Sequence, residues 1–250
     1  MRFVIFSGTT EGRKLSALLA EAGADVTVCV ASDYGSEEQG IIPGVKVRTG
    51  PLSAEEKQKL LRGCALCVDA THPYATHVTA SVREACRETG VPYVRLLRPP
   101  SETGDARCFE TAEDAARWLS RQEGNILLTT GAKELSAYAS INPERIYPRI
   151  LPSHEGLEAC ERLGIPHRNI IAMQGPFSAE LNRAIIRQYR IRYLVSKDGG
   201  VPGGFPEKAA ACRETGTAMI LLRRPEESGL DFETVYQRCI ALLKSSDAIE

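Results

Sequence analysis

Short, β-branched apolar runs alternate with helix-like stretches from one end of this 250-residue chain to the other. That alternation narrows the possible folds more than any other feature, because strand, helix, strand in succession is the sequence form of a parallel sheet covered by helices. Strands are expected at residues 2–6, 25–30, 45–48, 65–68 and 91–96, and again at 126–130, 145–151, 170–174, 193–197 and 218–223. Helices are expected at 13–21, 76–87, 111–119, 134–140, 157–163, 179–190, 206–215 and 232–244, while residues 32–44 read as loop. The stretch Arg98-Pro-Pro-Ser-Glu-Thr-Gly-Asp105 interrupts the rhythm and reads as an interdomain linker. The expected architecture is α/β: two Rossmann-like doubly wound lobes with mainly parallel sheets and an interlobe cleft. Residues 1–100 would form a dinucleotide-binding lobe and residues 106–225 a substrate lobe, with a last helix over 230–246 packing on either.

Charge excludes one large class of function. With 31 basic and 32 acidic residues the net charge is −1, and no basic run is present. Binding nucleic acid by bulk electrostatics needs the opposite. The start, Met1-Arg2-Phe3-Val4-Ile5-Phe6, turns polar too soon for a signal peptide or membrane span. Eight cysteines scattered through apolar patterns suit reduced, buried thiols and a cytoplasmic protein. Cys64 and Cys67 have C-x-x-C spacing, but no second pair completes a tetrahedral site, so packing is expected there and no metal. His77, His154 and His167 show no ligand spacing either.

The densest chemistry lies at Val68-Asp69-Ala70-Thr71-His72-Pro73-Tyr74-Ala75, where an apolar run stops at a cluster of hydrogen-bonding groups. Side chains just beyond the carboxyl end of a strand sit where open parallel sheets bind ligands. Directly after the first strand, Ser7-Gly8-Thr9-Thr10-Glu11-Gly12 offers small residues at a strand-to-helix turn. Such a turn lets a diphosphate approach N–H groups at the positive end of a helix. The full G-x-G-x-x-G fingerprint is absent, so the loop read alone fits a phosphate cradle or an ordinary turn. Gly50 after the third strand and Asp69, Thr71 and His72 after the fourth would line the same edge. At the end of the second strand, Ser32 with Arg13 nearby favours a ribose 2′-phosphate and hence NADPH, whereas the adjacent Asp33 argues for NADH.

Gly8-Thr9-Thr10-Glu11, Asp69-Ala-Thr-His-Pro-Tyr-Ala75, Leu128-Thr-Thr-Gly-Ala-Lys133 and Ser196-Lys-Asp-Gly-Gly200 with Lys208-Ala-Ala210 together resemble the precorrin-6A reductase family, which includes the cobalt-precorrin-6A reductases. The correspondence runs in order along essentially the whole chain. One departure is Ser7, where the family pattern begins Gly-Gly-Thr. The resemblance implies a cobalamin-biosynthesis enzyme that uses a reduced nicotinamide to saturate one ring double bond of a polycarboxylate tetrapyrrole. The family's members are assigned to NADPH or to NADH.

A near-neutral protein that handles a polyanion must concentrate positive groups locally. Thr130, Gly131 and Lys133, then Lys197, Asp198, Gly199 and Gly200, form glycine-bearing turns at later strand ends. There, backbone N–H groups and lysine charges would meet substrate carboxylates. Gln174-Gly175-Pro176-Phe177 is a similar loop, and Arg149 is suited either to ligand contact or to a structural ion pair. His72, Tyr74 and Lys197 are the candidates for catalysis, with water as a further proton source, and no single side chain is expected to be indispensable as an acid. Two other readings compete: a different NAD(P)H reductase on the same scaffold, and a non-catalytic nucleotide or tetrapyrrole sensor.

Overall fold

The computed structural model describes residues 1–98, 103–200 and 203–247. The chain divides into two compact units, one formed by Met1–Pro99 with Pro225–Glu250 and the other by Pro100–Arg224. Residues 99–102 of the expected linker lie outside the described residues.

The first unit contains β1 (Arg2–Ser7), α1 (Thr10–Glu21), β2 (Asp25–Val30), α2 (Asp33–Gln39), β3 (Val45–Thr49), α3 (Ala54–Leu61), β4 (Leu66–Ala70), α4 (Thr76–Thr89) and β5 (Tyr93–Arg95). Its five strands are parallel in the order β3-β2-β1-β4-β5. That is the doubly wound arrangement, with its switch point between β1 and β4. Both faces are covered, so the central strands read as continuous apolar runs. Phe3, Ile5, Val26, Val28, Leu66 and Val68 pack on one side and Val4, Phe6, Cys29 and Cys67 on the other.

The chain returns to this unit at its end. Leu230 bridges to Leu96, and α9 (Phe232–Asp247) lays Val235, Cys239 and Leu243 into the cluster that holds Leu15 and Leu19 of α1. The four-residue spacing of those three side chains puts them on one helical face.

The second unit contains β6 (Arg107–Phe109), α5 (Ala112–Leu119), β7 (Asn125–Leu128), a 3-10 helix (Ala132–Tyr138), β8 (Ile146–Ile150), α6 (His154–Arg162), β9 (Ile171–Ala172), α7 (Ala179–Gln188), β10 (Ile191–Lys197), α8 (Phe205–Thr215) and β11 (Ala218–Leu222). Its sheet is also parallel, in the order β6-β11-β10-β7-β8-β9. Connections run outward in opposite directions from β7 and β10, so the switch point of this sheet lies between them.

Several elements depart from the sequence expectation for local reasons. Residues 32–44 are not all loop: Ser32 caps α2 by accepting from the Gly35 N–H, and Asp33 stands in the first turn. This helix buries only Gln39, so it has no apolar stripe to betray it. α3 starts with a capping box between Ser53 and Glu56, again on a mostly exposed helix. Strand β4 extends through Asp69 and Ala70. β6 is a three-residue edge strand, and residues 134–140 are largely 3-10 rather than α-helical.

Candidate active site

At the switch point of the first sheet, the turn after β1 meets the turn after β4. Thr9 caps α1, accepting from the Gly12 N–H at 3.3 Å, and its hydroxyl donates to the Ala70 carbonyl at 2.8 Å. Gly8 is exposed, and a Cβ there would lie 3.5 Å from the His72 backbone nitrogen. Gly12 has no such room: its Cβ would fall 2.6 Å from Ser7 Oγ and 2.9 Å from Ala70 Cβ. Glycine at 12 therefore lets α1 approach the sheet closely, as the last glycine of dinucleotide-binding turns does. Behind the turn, Gln39 Nε2 donates to Ser16 Oγ at 2.9 Å, and Ser7 donates to Gln39 Oε1 at 3.4 Å.

The other expected contacts are arranged along the same edge. Thr10 is exposed at the start of α1. Glu11 pairs with Arg98 at 2.8 Å. Ser32 and Arg13 are exposed, with Arg13 Nη2 3.4 Å from where a Gly40 Cβ would stand. Gly50 takes φ 101°, which favours glycine, and donates to the Val30 carbonyl at 3.0 Å.

Asp69, expected along this edge, is turned into the protein. It is completely buried, and its Oδ1 accepts from the Thr71 N–H at 3.0 Å, the Thr71 hydroxyl at 2.7 Å and Arg95 at 2.9 Å. Oδ2 accepts from the Tyr93 hydroxyl at 2.9 Å. Burial first, then the Asp69 charge, raises the Tyr93 pKa above its usual value. Both the carboxylate and the Thr71 hydroxyl are thus engaged within the protein, and they fix the shape of the turn.

Arg95 completes the brace, donating to the carbonyls of Asp69 and Thr71 and, through Nε and Nη2, to Glu227. Sequence reading assigned nothing to Tyr93, Arg95 or Glu227, since they become neighbours only when β5 and the returning segment meet. The braced turn presents His72 and Tyr74. Their rings stack with centroids 5.4 Å apart, and His72 Nδ1 accepts from the Tyr74 N–H at 3.4 Å. In the neutral ring the proton then sits on Nε2.

In the second unit the turns expected to meet substrate follow β7 and β10, the two strands that flank the switch point. Thr130 is buried, and its Oγ1 has no hydrogen-bond partner. Gly131 takes φ 85°, Lys133 is exposed on the 3-10 helix, and Gly199 and Gly200 follow β10. Two charges read as substrate-facing are instead matched internally: Lys197 pairs with Glu134 at 2.5 Å, and the buried Asp198 accepts from Arg224 Nε at 3.1 Å. Lys197 therefore does not act as a lone point charge. Arg149 and Lys208 donate to Asn182 and Ser196, and among the described residues neither has a carboxylate within ion-pair distance, so the structural ion pair left open for Arg149 by the sequence is not formed there.

Among the described residues no group of three or more His, Cys, Asp or Glu side chains is placed to hold a metal, and no helix is long and apolar enough to cross a membrane. All eight cysteines are unbridged, with Cys64 and Cys67 both buried.

Two doubly wound units, one with a glycine turn at the N-terminus of its first helix, define the class of Rossmann-like α/β proteins. Comparison with known proteins narrows this further. The family model for "Precorrin-6x reductase CbiJ/CobK" matches residues 2–242. A cobalt-precorrin-6A reductase of Methanothermobacter thermautotrophicus is 35% identical over 243 residues, covering 94% of this chain and 80% of that one. The corresponding protein of Priestia megaterium is 33% identical over 241 residues, covering 93% of each. A solved structure of CobK precorrin-6A reductase superposes with a TM-score of 0.77 at 23% identity over 97% of both chains, a likeness of fold. The chain belongs to the precorrin-6A reductase family.

Proposed function

We propose that this protein reduces one ring double bond of precorrin-6A, or of its cobalt form, to give the 6B form. NADPH is the reductant, NADH the lesser alternative, and the cytoplasm the site of action. The observation that carries the reading is the carboxyl edge of the first sheet. There the Gly8 turn, the capped N-terminus of α1 and the braced 69–74 turn converge at the point where such sheets bind dinucleotides.

The residues present fit a dinucleotide. Gly8 leaves the backbone open to a diphosphate, and the first N–H groups of α1 supply partial positive charge. Ser32 and Arg13 provide a hydroxyl and a cation for a ribose 2′-phosphate. When bound, the nicotinamide supplies the hydride. The protein's own task is then to position the reactants, keep water out and deliver one proton. Nε2–H of His72 and the hydroxyl of Tyr74 are the donors offered by the braced turn, with water as the third source. In the second unit, N–H groups of the turns after β7 and β10 and the charge of Lys133 face the carboxylates of the tetrapyrrole.

The test is to mix protein, NADPH or NADH, and precorrin-6A with and without cobalt, and to follow nicotinamide absorbance. Oxidation above the protein-free rate with one tetrapyrrole supports the proposal. No oxidation with either cofactor and either tetrapyrrole overturns it.

A further inference from the structure

Arg149 and Lys208 are 6% and 7% exposed. Val195, Leu128 and Pro148 pair across β10, β7 and β8. One residue further on, Ser196, Thr129 and Arg149 form the next row and turn to a common face. That face is the one α7 and α8 cover above Leu127 and Leu194. Arg149 Nη1 donates to Asn182 Oδ1 at 2.8 Å, and its guanidinium lies 4.0 Å from the centroid of the Phe177 ring. Lys208 Nζ donates to Ser196 Oγ at 2.9 Å. All three partners are neutral. Among the described residues no carboxylate lies within ion-pair distance of either cation.

Two buried cations without a counter-charge are costly, and cations so placed are ordinarily matched by an anion. The strain registers in their acidity. Burial first, and the Arg149 charge second, hold the Lys208 pKa down to about 8 from its ordinary 10.5, while Glu207 and Cys212 act weakly upward. Burial alone brings Arg149 down to about 10. Neither position is an accident of surface charge, because Asn182 and Ser196, which hold the two head groups, are themselves completely buried.

We propose that Arg149 and Lys208 together receive one carboxylate of the tetrapyrrole, with Asn182 and Ser196 as positioning residues for the two cations. The proposal rests on the reductase reading above and adds to it a specific carboxylate subsite. The guanidinium fork matches the two oxygens of a carboxylate, an ammonium adds a third donor, and the Phe177 ring covers one face of the guanidinium.

Two measurements separate this subsite from the overall reaction. Lysine labelled at Cε with carbon-13 gives a Lys208 signal, assigned by its loss in Lys208→Arg, whose titration midpoint in the free protein lies near 8. Propionate, with chloride as the ionic-strength control, should raise that midpoint by about one unit or more. Kinetically, Arg149→Met and Lys208→Met should each raise KM for the tetrapyrrole about tenfold or more, while kcat and the KM for NADPH stay within about twofold. Arg149→Lys and Lys208→Arg should recover part of the loss. A midpoint indifferent to propionate overturns the subsite, as does an active enzyme whose variants keep the tetrapyrrole KM or change the NADPH KM instead. If the wild-type protein turns over no tetrapyrrole, the reductase reading fails separately, and the propionate titration alone decides whether the cations receive a carboxylate.

Discussion

Arg95 and Glu227 lie 132 residues apart in the chain and share a buried ion pair, with Arg95 Nε and Nη2 donating to Glu227 Oε2 at 3.0 and 2.8 Å. Through its remaining nitrogen, Nη1, the same guanidinium holds Asp69 and the carbonyl of Thr71. The returning segment therefore braces the turn that carries His72 and Tyr74, although it contributes no group to that turn itself.

Removing the arginine leaves the Asp69 and Glu227 carboxylates, 0% and 12% exposed, without their shared cation. Arg95→Met is expected to cost about 3–5 kcal/mol, the range for breaking a buried pair from one side. Glu227→Gln should cost less, since Arg95 keeps Asp69. Urea unfolding of the three proteins measures the order, and equal midpoints for wild type and Arg95→Met would contradict it.

Gly12→Ala places a methyl group 2.6 Å from Ser7 Oγ and 2.9 Å from Ala70 Cβ. Helix α1 must then shift away from the sheet, at about 1–3 kcal/mol for an overpacked core position. Dinucleotide affinity should fall with it. Thermal melting and nicotinamide fluorescence titration report the two effects, and unchanged NADPH affinity would show that α1's approach to the sheet does not set the binding turn.

Ser32 combines two roles that substitution can separate. Ser32→Ala removes the cap on α2, worth about 1 kcal/mol, together with the hydroxyl offered to a 2′-phosphate. Ser32→Asp keeps the cap but adds a negative charge, and should lower the preference for NADPH over NADH about tenfold, roughly 1.4 kcal/mol. Paired binding constants for the two cofactors test this.

The low Lys208 pKa also makes stability depend on pH. Between about 8 and the ordinary 10.5, the unfolded chain binds a proton at this lysine that the folded protein lacks, so stability rises with pH across that window. Below 8 both forms are protonated and the full cost of the buried charge is present. The stability of wild type minus that of Lys208→Met should therefore climb by on the order of a few kcal/mol from neutral to strongly alkaline pH. The difference cancels titrations common to both proteins, and denaturation at several pH values measures it. A flat difference would mean that Lys208 keeps an ordinary pKa.

Most of the fold was legible because its signals are local. Val4, Ile5, Val26, Val28 and Val68 occupy buried central strands, so β1, β2 and β4 appear as apolar runs. Helices α2 and α3 bury almost nothing, and their only signatures are the caps at Ser32 and Ser53. The turns at Gly8, Thr71, Gly131 and Gly199 were found from composition at strand ends. What each side chain does there was not, because Asp69, Lys197 and Asp198 spend their charges on Arg95, Glu134 and Arg224.

The amino-acid sequence by itself determined the parallel α/β architecture, the positions of the glycine turns and the family. Periodicity and turn chemistry act within a few residues, and the motifs are contiguous. Only the tertiary structure decided which charges are matched and which are not. The partners of Arg95 come from β4 and from a segment 132 residues away, and the isolation of Arg149 and Lys208 depends on which strands and helices enclose them. An ionic balance is a property of neighbours in space, and no spacing along the chain encodes it.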